Sequence, residues 1–372
     1  MRYSIALAAA MLGTPLAAHE LRVVTDIPVA HSLVSMVLGD HGTADLMLDR
    51  GANAHSYQLR PSQAQALSQA DVVVWIGEEM TPWMGRAISG LGGDAHSVAL
   101  LEVDGVLLRE FGQAKDAKAH DEHAHEDDHG HEHDHHGDDA HTGEHGHDAH
   151  SHDDHGHEHA SHDHGHDDHG DDDHGHEDHG HEDHGHEDHG HDHGDDHAHS
   201  GLDPHAWLDT RIATIWVDAI ATELAEHMPD HAADFAANAD SAKAEIAALT
   251  AEIDTILAPA RDMAFVTFHD AYGYFVNQFD LIQAGSIALG DAASPGAQRL
   301  AALRADMQAD AAVCIFPEAA HDPALVTTMI DGTGVRLGAT LDPAGSLLEP
   351  GAGLYGTLMR NMAQAIADCA QG

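Results

Sequence analysis

Histidine and carboxylate side chains crowd one segment of this 372-residue chain. Residues 120–199 hold 31 of its 41 histidines together with 29 aspartates and glutamates, and they include no lysine or arginine. Imidazole nitrogens and carboxylate oxygens are the protein ligands of zinc and related transition metals. We therefore expect this tract to bind metal ions. Its His-Gly-His-Glu-Asp repeat spaces successive pairs of histidines to chelate an ion, and the auxiliary metal ligands predicted there are His174, His176, His179, His181, His184 and His186.

The composition of the tract predicts disorder rather than a fold. It contains no aromatic and almost no aliphatic side chain beyond alanine, so it cannot bury enough apolar surface to offset the entropy of ordering. The net charge of −50 divides into −29 from the tract and −21 from the rest of the chain, which contains 36 acidic and 15 basic residues. Because the remainder is also acidic, we expect neither nucleic acid nor an anionic membrane surface as a partner.

The amino terminus has the pattern of a cleavable secretory signal. Arg2 precedes the apolar run Ile5–Leu12, and small residues lead to a cleavage point near Ala18. This run is too short to span a bilayer, and no later segment reaches 18 apolar residues. We expect an exported protein with no membrane span of its own.

Short apolar strands alternate with helices on both sides of the tract. Strands are predicted at 21–25, 44–48, 71–76 and 97–101, and again at 263–268, 282–289, 311–316 and 335–340. This alternation predicts parallel sheets whose ligand groups lie beyond the carboxyl ends of the strands. Between the two sets, His231–Leu257 has helical spacing and would extend roughly 40 Å.

We therefore predict two α/β lobes with mainly parallel sheets, linked by one long rigid helix, with a metal site in the cleft between the lobes. The disordered His/Asp/Glu-rich loop is an insertion in the first lobe. The predicted divisions are a signal peptide (1–18), the N-terminal lobe (19–115), the loop (116–200), the remainder of the N-terminal lobe (201–228), the linking helix (229–258) and the C-terminal lobe (259–372).

Three histidines outside the tract occupy places where an open sheet presents ligand groups. His55 follows the second strand, His205 precedes a helix, and His269 ends a strand. Three imidazoles with one oxygen make a tetrahedral zinc set. A single histidine considered without its neighbours is more often a surface or core residue than a metal ligand, and this interpretation applies to each of the three. Six other histidines are expected to be surface residues: His31, His41, His96, His227, His231 and His321.

Four segments resemble the metal loops of the cluster A-I solute-binding proteins, the periplasmic receptors of zinc and manganese ABC importers. They are Gly51–Ser62, Asp203–Leu208, Phe268–Phe275 and Thr340–Pro343. The zinc-uptake receptors of this family, which carry a His-rich insertion at the same point, are the nearest match.

The resemblance implies a ligand set of His55, His205, His269 and Asp342. Zinc-binding members can carry a glutamate just before the first histidine, where this chain has Ala54. Water or a tract histidine is therefore the alternative to Asp342. The manganese receptors of the family place a carboxylate at the third position, where this chain has His269. Because Mn²⁺ is a harder ion that prefers oxygen ligands, a histidine at this position favours Zn²⁺.

The same resemblance implies a periplasmic receptor that hands Zn²⁺ to a zinc ABC permease in the inner membrane and catalyses no reaction. We expect a monomer, with the tract as an auxiliary low-affinity scavenger or sensor. The two cysteines, Cys314 and Cys369, favour a disulfide in an oxidising compartment, and the family's zinc members have one there; two buried thiols are the alternative.

Two other functions fit parts of the sequence. In the first, the chain is a periplasmic metal buffer or storage protein that acts mainly through the His-rich tract. In the second, it is a zinc hydrolase, since three histidines with an open fourth position can activate water. The only candidate general base for that reaction is Asp270, beside His269.

Overall fold

The computed structural model describes residues 21–112, 201–288, 295–309 and 311–372. These residues all belong to one compact unit of the chain. The prediction of a signal peptide at residues 1–18 lies outside the described residues.

The auxiliary metal ligands predicted in the tract also lie outside the described residues, so their assignment stays a prediction from the sequence. They are His174, His176, His179, His181, His184 and His186.

A parallel four-stranded sheet forms the core of the N-terminal lobe. Its strands are β1 (Arg22–Thr25), β2 (Thr43–Leu46), β3 (Val72–Trp75) and β4 (His96–Ala99), in the order β2-β1-β3-β4. All four residues of β3 are buried, as its unbroken apolar sequence predicts for a strand covered on both faces. The crossover helices are α1 (Pro28–Leu38), α2 (Pro61–Ser68) and α3 (Pro82–Leu91), and each begins with a proline in its first turn.

A second sheet of the same kind forms the C-terminal lobe. Two further short strands precede it along the chain, β5 (Arg109–Glu110) and β6 (Leu202–Asp203). The sheet has the order β10-β9-β7-β8 and is parallel throughout. Its strands are β7 (Ala264–His269), β8 (Ile282–Ala288), β9 (Cys314–Ile315) and β10 (Arg336–Leu337). The last two are shorter than predicted, because only two residues of each pair with a neighbour.

Three longer helices pack on one another beside the two sheets: α4 (Thr210–His227), α5 (Ala232–Leu257) and α9 (Leu354–Gln371). Among them, α5 is the long linking helix that the sequence predicts. It packs on α1 and α4 of the first lobe and on α9 of the second. Its buried stripe repeats at spacings of three and four residues: Phe235, Ala239, Ala242, Ile246, Leu249, Ile253 and Leu257. One large apolar cluster consequently extends through both lobes, and a second, smaller cluster lies within the C-terminal lobe.

Three shorter helices, α6 (Gly273–Gln278), α7 (Ala297–Ala309) and α8 (Ala324–Ile330), lie in the C-terminal lobe. The disulfide expected between Cys314 and Cys369 is present and ties β9 to α9. Among the residues described, no helix is both long and apolar enough to cross a membrane.

The strands β5 and β6 were not predicted. They pair antiparallel, Arg109 opposite Asp203 and Glu110 opposite Leu202, and the Phe111 amide donates to the Gly201 carbonyl at 3.0 Å. The chain on either side of residues 113–200 is thereby held together, directly before the loop that carries His205.

Candidate metal centre

The structure brings His55, His205 and His269 together. Their ligand nitrogens all lie within 4.8 Å of one another. His55 is in the loop after β2, His205 lies between β6 and α4, and His269 is the last residue of β7. The positions that selected these three residues from the sequence, two near strand ends and one before a helix, therefore identified a spatial cluster.

The His205 ring is fixed by a carboxylate two residues earlier in the chain. Asp203 Oδ1 lies 2.9 Å from His205 Nδ1 and also accepts the His205 backbone N–H at 3.0 Å. Both side chains are buried. With Nδ1–H donating to Asp203, the lone pair of His205 is on Nε2, which faces the cluster.

A second carboxylate holds His269 in the same way. His269 Nδ1 lies 2.7 Å from both carboxylate oxygens of Glu318, which also accepts the Tyr272 hydroxyl at 2.8 Å. Burial opposes ionisation of Glu318, but the charge and hydrogen bond of His269, with hydrogen bonds from His321 and Tyr272, lower its pKa to about 2. Glu318 is thus a charged acceptor for the Nδ1–H of His269, so Nε2 is the nitrogen that gives up its proton when a metal ion binds.

The Nε2 atoms of His205 and His269 lie 3.4 Å apart. Because the Nδ1 atom of each ring is bonded to a carboxylate, Nε2 is the atom that each ring presents to an ion. Two nitrogens bound to one tetrahedral zinc at 2.0–2.1 Å would be separated by roughly 3.3–3.4 Å. The two buried imidazoles are therefore spaced as ligands of a single ion.

Aromatic side chains surround the cluster. The Trp207 ring centroid lies 5.2 Å from that of His205, and the indole N–H donates to the Pro343 carbonyl at 2.8 Å. Phe111, next to β5, places its ring centroid 6.4 Å from that of His205. Tyr274 accepts the Arg109 N–H at 2.8 Å and donates to the Asp203 carbonyl at 3.2 Å. These contacts join the β5–β6 pair to the site.

Asp342, the fourth ligand implied by the resemblance, lies in a loop and makes local hydrogen bonds. Its carboxylate accepts the Ser346 N–H at 2.9 Å, the Ser346 hydroxyl at 3.1 Å and the Leu347 N–H at 2.8 Å. Among the described groups of three or more ligand atoms within 4.8 Å of one another, none includes Asp342. Its carboxylate acts here as the acceptor that closes the turn.

Sequence reasoning missed the two carboxylates that orient the imidazoles. Asp203 had a signal, since it stands two residues before a candidate ligand in Asp-Pro-His. Glu318 follows β9, the strand beside β7, so the strand-end rule that selected His269 applies to it as well. Of the six histidines expected at the surface, His96 alone is exposed and the other five are partly buried. Among these five, His321 lies 3.4 Å from Glu318, and His31 Nε2 lies 3.1 Å from the Ala44 carbonyl.

The fold and this cluster define a two-lobed α/β metal receptor. The sequence matches the family described as ZnuA, zinc-uptake complex component A periplasmic, over residues 23–369. The high-affinity zinc uptake system protein ZnuA of Paracoccus denitrificans is 44% identical over 372 residues, which cover 99% of this chain and 98% of that protein. The chain therefore belongs to the ZnuA family of periplasmic zinc-uptake components.

Solved structures share the fold at lower identity. The solute-binding protein FpvC from Pseudomonas aeruginosa, in complex with Mn²⁺, has a TM-score of 0.65 at 20% identity and matches 95% of this chain and 99% of its own. A crystal structure of ZnuA has a TM-score of 0.63 at 18% identity, and the match covers 94% of this chain and 98% of that one. At these identities the likeness establishes the two-lobed fold and does not discriminate between metals.

Proposed function

We propose that this protein captures Zn²⁺ with His55, His205 and His269 and delivers it to the permease of a zinc ABC importer. The observation that carries this proposal is the 3.4 Å separation of two buried Nε2 atoms whose Nδ1 partners are both carboxylates. Nitrogen donors favour zinc over manganese, and the hydrogen-bonded carboxylates make the imidazoles more basic ligands. Asp342, water or a tract histidine would supply the fourth ligand.

The site is proposed to bind and release its ion without chemistry. Asp270, the candidate base for a hydrolase, accepts the Gly112 N–H at 2.9 Å. This hydrogen bond ties Asp270 to the chain that follows β5. The protein is proposed to act as a monomer in the periplasm, exported by residues 1–18.

The His-rich tract is proposed to be an auxiliary low-affinity scavenger or sensor. Phe111 and Gly201, which flank it in the sequence, are hydrogen-bonded neighbours, and the Phe111 ring faces His205. Tethered weak sites raise the local zinc concentration at a nearby strong site without any new contact. The alternative is a buffer or storage protein in which the tract supplies the main binding capacity.

Chelator competition separates these functions. We expect one tight site to survive deletion of residues 120–199 and to be lost in His205→Ala or His269→Ala. His31→Gln, outside the cluster, is the matched control and should bind as the parent does. Loss of all tight binding on deletion, with the folded part intact by circular dichroism, would instead establish the buffer function.

A further inference from the structure

A second group of metal-ligand side chains lies in the N-terminal lobe. His96 begins β4, and Glu223 and His227 occupy the last turns of α4. Glu223 Oε1 lies 3.3 Å from His96 Nδ1 and 3.1 Å from His227 Nε2, and the three ligand atoms all lie within 4.8 Å of one another. We propose that these three residues form a second Zn²⁺ site, independent of the His55–His205–His269 centre.

The donors and their spacing suit zinc. Two imidazoles and one carboxylate are a recurrent zinc set, and ligand atoms of a tetrahedral zinc lie roughly 3.3–3.4 Å apart. Glu223 and His227 are four residues apart on one helix and therefore face the same way. Both lie at the carboxyl end of α4, where the helix dipole favours a cation.

This cluster is remote from the first centre. His96 is at the amino end of β4, whereas His55 and His269 lie beyond the carboxyl ends of parallel strands. Helix α4 starts five residues after His205 and, at 1.5 Å per residue, carries the chain about 27 Å before it ends at His227. An ion at one site cannot share ligands with an ion at the other.

A similar cluster lies where the turn between α4 and α5 meets the residues after α1, but it is less suited to hold an ion. It consists of His41, His231 and Asp234, with His–carboxylate distances of 3.3 and 3.5 Å. The Asp234 side chain is 57% exposed, so water competes for it, whereas that of Glu223 is 16% exposed. The partly buried carboxylate between two imidazoles makes the Glu223 cluster the stronger candidate.

Histidine footprinting of the full chain tests the proposal, since zinc occupies the ring lone pair that carbethoxylation requires. The protein is treated with diethylpyrocarbonate at free Zn²⁺ concentrations fixed by a chelator buffer, so that the tract does not deplete the ion. Modified residues are located by mass spectrometry of peptides. We expect His96 and His227 to become protected at one common zinc concentration.

Glu223→Gln should raise that concentration about tenfold or more, since it removes a charged ligand. Glu226→Gln removes a charge from an exposed position on the same helical turn and should have no effect. His55, the one ligand of the main centre that is not buried, should keep its zinc protection in both variants, which separates failure here from failure of the main centre.

The proposal is overturned if zinc protects neither His96 nor His227, or if each is protected equally well in Glu223→Gln. That result would reduce the cluster to two contacts between Glu223 and neighbouring histidine rings. Should Glu223→Gln unfold, His96→Gln decides the question: the His96 side chain is 61% exposed, and its loss should abolish protection of His227.

Discussion

At the residue scale, the centre is built from His–carboxylate pairs rather than from histidines alone. Asp203 and Glu318 each bind an imidazole Nδ1, so the sequence identifies the ligands while the folded chain determines which nitrogen each presents. Such outer partners position the ring and raise its basicity as a ligand. We therefore expect the carboxylates to contribute to zinc affinity without touching the ion.

Glu318→Gln is expected to weaken zinc binding about 10- to 100-fold, because the amide keeps the shape of the side chain but not its charge. Chelator competition at pH 7.5 measures the effect. Asp306→Asn removes a carboxylate from the surface of α7 in the same lobe and should leave the affinity unchanged. Unaltered affinity in Glu318→Gln would mean that His269 is oriented by the fold alone.

Zinc binding should also weaken as the pH falls through the imidazole range. The lone pairs on the clustered nitrogens must be free to bind the ion, so protons compete with zinc for them. The apparent dissociation constant, measured between pH 8 and pH 5 with a pH-corrected chelator, should rise steeply below about pH 6.5. A flat profile would exclude histidine ligands from the tight site.

At the element scale, apolar periodicity predicted most strands and helices, because each lobe's strands are buried between helices. It could not predict the β5–β6 pair, since strands of two residues have no measurable period. Nor could it predict Glu318 as the partner of His269, which depends on β9 lying beside β7. The three histidines were predictable because each stands at a strand end or helix start in its own segment.

The β5–β6 pair should influence zinc release. Tyr274 accepts the Arg109 N–H and donates to the Asp203 carbonyl, so it connects both strands. Tyr274→Phe removes both hydrogen bonds and should accelerate zinc dissociation at least about fivefold, the factor that corresponds to one net hydrogen bond of about 1 kcal/mol. Stopped-flow transfer to a chelator measures the rate, with thermal unfolding as the check on general stability. An unchanged rate would show that Asp203 is held by the β-pairing alone.

Asp26 connects three elements of the N-terminal lobe and should make its stability depend on pH. Following β1, it accepts the N–H groups of Ile27 and Ile76 and the Thr81 hydroxyl. Burial raises its pKa to about 6, against these hydrogen bonds, which lower it. The folded protein thus binds this proton more tightly than the unfolded chain, where the pKa is about 3.9.

The resulting contribution to the free energy of unfolding is complete below about pH 4 and is lost as the pH rises through about 6, a change on the order of 3 kcal/mol. In Asp26→Asn this part of the pH dependence should vanish, whereas Thr81→Val, which keeps the carboxyl group, should retain it. Urea unfolding of the zinc-free proteins at pH 4.5 and pH 7 measures the difference. Parallel profiles for the parent and Asp26→Asn would contradict the assignment.

At the scale of the whole molecule, the two lobes share one apolar core through α5. A large hinge motion would expose the stripe that α5 buries against both lobes. We therefore expect zinc release to involve local movement of loops, with the lobes fixed in relation to each other.

Ile246→Ala, in the middle of α5, should destabilise both lobes together by about 2–5 kcal/mol. The four tryptophans, Trp75, Trp83, Trp207 and Trp216, report unfolding of the first lobe by fluorescence, and amide exchange in β7 reports the second. Ile282→Ala, at a 47% exposed position, is the matched control and should have little effect. Separate transitions for the two lobes would contradict a shared core.

The antiparallel closure of β5 on β6 has an evolutionary consequence. The chain leaves and re-enters the lobe at neighbouring hydrogen-bonded residues. The positions of these residues therefore do not depend on how many residues lie between them. Each doubling of such a loop costs only about 0.6 kcal/mol of closure entropy. Repeat units can accordingly be gained or lost between Gly112 and Gly201 by slippage during replication, while the loop that carries His205 keeps its place in the fold.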